Sequence, residues 1–173
     1  ERSQLVHATW SSKRIDIGDL VFMEIPGSIN RYHAAQSRSV FVGKPSDKVI
    51  EASQVATEAL QVAKGSMKEG VSAKTVFKNA SSVINESNID YKQGRRIAYS
   101  IGTAFPPGWD EGDIFSINSN EPRPLMAGMC FHLITTMRVP GVGAIGCSDT
   151  VLVTKDGVET LTTHVEPGVQ YSQ

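Results

Sequence analysis

Between Leu20 and Ile25 apolar side chains fall on both faces of a two-residue alternation. Leu20 and Phe22 share one face with Glu24, while Val21, Met23 and Ile25 share the other. Such a segment predicts a strand covered on both sides. Pro26-Gly27-Ser28 is expected to turn the chain, and residues 31–42 to return as a second strand ending at Gly43. After Pro45-Ser46-Asp47 the period changes: Val49, Ala52, Ala56, Leu60 and Ala63 recur at helical spacing, with a stop at Lys64-Gly65. Ser72 is placed to cap a second helix, in which Val76, Ala80, Val83 and Ile84 share a face. Beyond Asn88 short strands are expected at 96–101, 129–136, 150–154 and 158–161. From Pro106-Pro107-Gly108 to Pro124 the pattern reads as one long loop. A hairpin, two helices and then strands predict an α+β domain, its helices packed on one side of a mainly antiparallel sheet.

Composition narrows the partners. The 173 residues suffice for one domain with a sizeable core, and 40% apolar with 20% charged residues is an ordinary globular mix. A formal net charge of -1, with no tight Lys/Arg cluster, argues against nucleic acid as a partner. No apolar run approaches the roughly 18 residues of a membrane span, and the first residues carry no signal-peptide pattern. Cys130 and Cys147 form no Cys-x-x-Cys motif and are expected as reduced thiols in a cytoplasmic protein.

Several segments then align in order: Gly18-Asp19-Leu20-Val21, residues 32–39, Glu69-Gly70-Val71-Ser72, Ala127-Gly128-Met129-Cys130-Phe131 and Ser148-Asp149-Thr150-Val151-Leu152-Val153-Thr154. In this order and spacing the chain resembles the pita-bread catalytic domain of the creatinase, prolidase and aminopeptidase P family. The resemblance implies that residues 1–173 form a single C-terminal catalytic-type domain. The first part of that domain and a separate N-terminal domain are expected to be missing from the chain. It also implies a homodimer for the full-length form.

The family's peptidases hold two metal ions with two Asp, one His and two Glu. By the resemblance these positions fall on Glu24, Ala35, Tyr99, Ile134 and Ser148. Alanine and isoleucine offer no lone pairs, so no metal and no other cofactor is expected. His7, twelve residues before Asp19, stands where the family places an imidazole that moves protons. Creatinase is the family's metal-free branch, and it too has alanine at the position of Ala35. The ectoine hydrolases, which open a cyclic amidine, resemble the chain further. The shared segments are Glu24-Ile25, Arg31-Tyr32-His33, Tyr99-Ser100-Ile101-Gly102, Pro106-Pro107-Gly108-Trp109 and Phe131-His132. One departure is Ser148, where that branch keeps a Glu.

These residues set out the expected chemistry. Metal-free hydrolysis of an amidine or amide C–N bond needs a base for water, a proton donor for the leaving nitrogen and polar groups around the carbon. His7 and Glu24 are the candidate catalytic residues. Tyr32, His33, Tyr99 and His132 are the candidate substrate-binding residues, although a regular strand sends Tyr32 and His33 to opposite faces. Glu24 has a structural alternative, an ion pair with Arg31 or Arg38 across the hairpin. Asp149 is expected to be structural. Three functions compete: a metal-independent hydrolase of a small polar amidine, guanidine or cyclic amide; an inactive relative that binds a small ligand or a partner; and an Xaa-Pro-type metallopeptidase with relocated ligands.

Overall fold

The computed structural model describes residues 2–5, 8–9 and 11–171. A hairpin of β1 (Leu20–Ile29) and β2 (Tyr32–Phe41) is followed by α1 (Asp47–Ser66) and α2 (Ala73–Glu86). Next come β3 (Lys92–Gln93), β4 (Arg96–Ser100), β5 (Ser116–Asn118), β6 (Cys130–Val139), β7 (Gly143–Val153), β8 (Val158–Thr160) and β9 (Gln170–Tyr171). The main sheet order is β1-β2-β7-β6-β4-β5, with β3 added on β6, β8 on β7 and β9 on β2. Among the described residues only the short β2–β9 pairing is parallel. The α+β expectation, helices against a mainly antiparallel sheet, describes this arrangement. No helix among the described residues is long and apolar enough to cross a membrane.

The hairpin turn lies later than the sequence led us to expect. β1 runs straight through Pro26-Gly27-Ser28, and Pro26 pairs with Ala35. Proline is tolerated there because β1 is an edge strand, where a missing N–H breaks no ladder bond. The reversal comes at Asn30 and Arg31, whose φ values of 49° and 68° are those of a tight primed turn. A left-handed arginine is strained by about 1–2 kcal/mol. Contacts to the 102–105 segment hold it: Ala104 N–H donates to Arg31 O at 3.1 Å, and the guanidinium lies 5.0 Å from the Phe105 ring centre. The stretch from 106 to 124 is not one loop, since it contributes β5. The strands β6 and β7 are also longer than the turn signals implied.

Helix α1 seats on the sheet through Ala52, Ala56, Ala59 and Ala63, all fully buried. These small residues allow close approach: the Thr135 hydroxyl reaches the Ala56 carbonyl at 2.7 Å. Ser72 caps α2 by accepting from Thr75 N–H, as its position predicted. Phe131, Leu133, Cys147 and Val151 meet Leu60, Val76 and Ala80 in one apolar cluster; Met137 and Ile145 meet Val49, Ala56 and Ile84 in another. Both cysteines are free thiols, Cys147 buried and Cys130 half-buried.

At the centre of the helix-covered face is a buried charge. Asp149 is 2% exposed; its carboxylate takes Arg38 at 2.9 Å and Lys64 of α1 at 2.6 Å. Gln36 and Thr162 also donate to it. Arg38 in turn donates to the carbonyls of Ser37, Ser148, Val165 and Glu166. Burial alone would raise the Asp149 pKa, but hydrogen bonds from Lys64, Arg38 and Gln36 hold it below the usual carboxylate range. The structural reading of Asp149 thus describes its surroundings. Arg38 is committed to this face and does not pair with Glu24. Asp149→Ala leaves the Arg38 guanidinium buried without its counter-charge. We expect a loss of about 3–5 kcal/mol, read as a lower urea midpoint, and a smaller loss for Lys64→Met.

Candidate functional site

Cross-strand partners point to the same side of a sheet, so the register fixes which side chains meet. Glu24 pairs with Ser37, Ser37 with Ser148, and Ser148 with Ile134. One pleat along, Pro26 pairs with Ala35, Thr150 with His132, and His132 with Tyr99. Both rows lie on the face opposite α1. The five positions that the resemblance equates with metal ligands, Glu24, Ala35, Tyr99, Ile134 and Ser148, therefore share one face. Their neighbours Asp149 and Arg38 turn to the other.

The seam between β2 and β7 on this face is closed by hydroxyl groups. Thr150 Oγ1 accepts from Ala35 N–H at 2.9 Å and donates to Ala35 O at 2.8 Å. Ser148 Oγ accepts from Ser37 N–H at 2.7 Å. Ser39 Oγ donates to Gly146 O and accepts from Gly146 N–H. Gly146 is required here for space: a Cβ would come 2.3 Å from the Thr135 carbonyl oxygen.

His132 stands at the middle of the site and is fully buried. Its Nε2 is 2.6 Å from Ser148 Oγ and its Nδ1 is 2.6 Å from the Tyr99 hydroxyl. Glu24 Oε1 lies 3.8 Å from the same Nδ1, with the Glu24 side chain 23% exposed. The Tyr99 hydroxyl also accepts from Trp109 Nε1 at 3.1 Å. The Tyr99 ring meets the imidazole edge-on, and Arg96 lies over it, 4.5 Å from its centre. Arg96 is itself tied to Asp110 at 2.7 Å. Burial, and then the Glu24 charge, push the Tyr99 phenol well above its usual range, so it is a neutral hydroxyl.

Of the other residues singled out in the sequence, His33 shares this face, two positions from Ala35. It is half-buried near the hairpin tip; its backbone N–H donates to Gly102 O, and its buried Nδ1 has no hydrogen-bond partner among the described residues. Tyr32 points to the other side and is 68% exposed, so the fold does not bring it to Tyr99 and His132. His7 lies outside the described residues. Two members of the cluster escaped sequence reasoning. Ser148 reads as a lost ligand, not as a partner, and Trp109 carries no signal beyond its Pro-Pro-x-Trp segment.

The antiparallel sheet with two helices on one face, opposite a polar cluster, is the pita-bread architecture of known solved structures. The X-Pro aminopeptidase from Thermotoga maritima superposes with TM-score 0.84 at 25% identity, over 99% of this chain and 47% of that one. The prolidase from Pyrococcus furiosus superposes with TM-score 0.82 at 28% identity, over 95% and 47%. Residues 1–155 match metallopeptidase family M24, and the chain belongs to that family. Among curated relatives, the ectoine hydrolase of Halomonas elongata is 29% identical over 155 residues, which are 90% of this chain and 38% of that protein. The Xaa-Pro dipeptidase of Pyrococcus horikoshii is 30% identical over 161 residues, 93% of this chain and 44% of that protein. The chain thus spans well under half the length of either.

The described residues do not fit a dinuclear metal centre. Ala35 and Ile134 have no donor atoms, the hydroxyls of Tyr99 and Ser148 are engaged by His132, and both His132 nitrogens are occupied. No three His, Cys, Asp or Glu side chains converge among the described residues. One carboxylate, Glu24, remains at the five positions, too few for two hard cations.

Burial, reinforced by Arg96, lowers the His132 pKa from 6.5 to about 4, against the opposing pull of Asp149. The ring is neutral at pH 7. Between these values the unfolded chain binds a proton that the folded chain refuses. The contribution is therefore complete above about pH 6.5 and shrinks as the pH falls toward 4. The expected slope is about 1.4 kcal/mol per pH unit, roughly 3 kcal/mol in all. Urea unfolding across this window should show that slope in the parent and a flatter one in His132→Gln; equal slopes would contradict the assignment.

Proposed function

We propose that this chain carries the catalytic face of a metal-independent hydrolase that cleaves a C–N bond in a small polar amidine, guanidine or cyclic amide. The observation that carries the reading is the fully buried His132 with both ring nitrogens hydrogen-bonded. It is hydrogen-bonded to Tyr99 and Ser148 and lies 3.8 Å from Glu24, three of the positions equated with the peptidases' metal ligands. An imidazole and two hydroxyls supply directed hydrogen bonds around a single carboxylate. Glu24 is partly open to solvent and suits the positive charge of an amidinium or guanidinium. It is also the group on this face suited to taking a proton from water as the oxygen bonds to carbon. The C–N bond then breaks and the departing nitrogen takes a proton, the role that family spacing gives to His7. The likeness to an ectoine hydrolase supports the same substrate chemistry.

A second reading rests on Ser148, which stands where the ectoine hydrolases keep a Glu: an inactive relative that binds a small ligand or a partner without turnover. A chelator-treated preparation of the full-length protein, offered ectoine, hydroxyectoine, creatine and an Xaa-Pro dipeptide, separates the readings. We expect chelator-resistant hydrolysis of an amidine or guanidine, and a fall in kcat of about 10²–10⁴-fold in Glu24→Gln. Ligand-induced thermal stabilisation without turnover would establish the binding protein. Dipeptide hydrolysis that appears only on adding back metal would overturn the proposal.

A further inference from the structure

The hydrogen bonds around His132 fix more than its position; they fix which of its nitrogens carries the proton. Ser148 is fully buried, and its hydroxyl has two partners, the Ser37 backbone N–H and His132 Nε2. The Ser37 N–H can only donate, so the one proton on Ser148 Oγ goes to Nε2. The opposite arrangement would have Ser148 accept twice and leave its fully buried hydroxyl proton with no acceptor among these partners, an unfavourable state for a desolvated donor; the Tyr99 proton left over in the first arrangement has the Glu24 carboxylate beside the same ring nitrogen. With Nε2 an acceptor on a neutral ring, Nδ1 bears the proton and donates it to the Tyr99 oxygen. Trp109 Nε1–H donates to the same oxygen. Both Tyr99 lone pairs are then in use, and its own proton turns away from the imidazole. The donors run in one direction, from Ser37 N–H through Ser148 and His132 to Tyr99, an alignment in which each bond strengthens the next.

We infer that Ser148 and His132 are positioning residues that make Tyr99 a hydrogen-bond donor to the reacting substrate; this rests on the hydrolase reading above. Tyr99 Oη and Glu24 Oε1 lie against the same ring nitrogen, so a cationic group held by Glu24 is beside the Tyr99 hydroxyl. An amidinium offers only N–H donors in its ground state. When water adds to its carbon, the nitrogen that will depart gains a lone pair, which a donor can meet. The Tyr99 contact therefore strengthens as the transition state forms and acts on kcat more than on substrate binding. On this account Ser148 is not a relic of a lost ligand but the start of the chain that aims Tyr99.

The test combines a spectroscopic and a kinetic arm on the full-length protein. With ¹⁵N-labelled histidine at pH 7, the His132 signals, assigned by their loss in His132→Gln, should show a protonated Nδ1 and an unprotonated Nε2. Ser148→Ala should shift the ring toward the Nε2-protonated form; Ser148→Cys, a weaker donor, serves the same purpose if the alanine variant does not fold. A wild-type ring protonated at Nε2, or no change of tautomer in either variant, would overturn the inference whatever the activity. Where the parent turns over substrate, Tyr99→Phe should lower kcat about 10²–10³-fold, with KM changed by less than about threefold. Ser148→Ala should lower kcat too, with the double variant little worse than Tyr99→Phe alone. An unchanged kcat in Tyr99→Phe would overturn the catalytic part. An inactive parent with the expected tautomer would count against the hydrolase reading and leave the positioning chain standing.

Discussion

Asp149 brings a negative charge into the sheet where water does not reach, and the groups that neutralise it come from everywhere the domain must be joined. Arg38 is on β2, Lys64 is on α1, and Gln36 and Thr162 add donors from β2 and from the chain after β8. A carboxylate so placed is tolerable only while these partners stay. The strand pair β2–β7 has little backbone ladder of its own, with one registered pair, Ser37 with Ser148. The Asp149–Arg38 pair holds that seam from the helix side, while the hydroxyls of Ser39, Ser148 and Thr150 hold it from the other.

The pleat transmits this constraint to the site. Asp149 is fixed on one face, so Ser148, its neighbour, is fixed on the other, with its carbonyl also bonded to Arg38. Ser148 in turn sets the orientation of His132, and His132 that of Tyr99. The charged cluster and the uncharged one are separated by a single peptide unit, and a change in either must be felt by the other. This is why the residue next to a buried salt bridge can serve as the first member of a hydrogen-bond chain: its position does not drift.

Much of the fold was legible because it rests on local rules. The helical stripe of α1 and the Ser72 cap are written in spacing and residue type, and the period-two argument rightly separated Tyr32 from His33. The hairpin turn was not legible. Pro26-Gly27 is a turn signal by composition, and only the knowledge that β1 is an edge strand removes it; the true turn, at Asn30-Arg31, depends on contacts with the 102–105 segment. At the site, the resemblance singles out Tyr99 at an aligned ligand position and His132 in the Phe131-His132 segment, but that they share a face follows only from the strand register. Their connection was not foreseeable, because the bond from Ser148 to His132 joins two strands diagonally and needs the register. Trp109 needed the path of a loop that no periodicity describes.

Hydroxyls at two of the positions equated with metal ligands, with a buried imidazole between them, bear on what the face can select. Two divalent cations would make it strongly positive and draw carbonyl and carboxylate oxygens. The residues present leave Glu24 as the charge at these five positions, with an imidazole beside it that burial keeps neutral. A cation about 4 Å from a carboxylate near the protein surface gains roughly 4 kcal/mol, against about 1 kcal/mol in water. A neutral peptide bond gains none of that difference. On the proposed reading, the same arithmetic favours a substrate whose scissile group itself carries the charge, an amidinium or guanidinium, over one whose cation is an ammonium apart from a neutral amide. It also sets the protonation state that matters. Acidifying the site far enough to charge His132 would place a cation against Glu24 and take the Nε2 acceptor from Ser148. Substrate attraction and the aim of Tyr99 would then be lost together, because both depend on one ring remaining neutral.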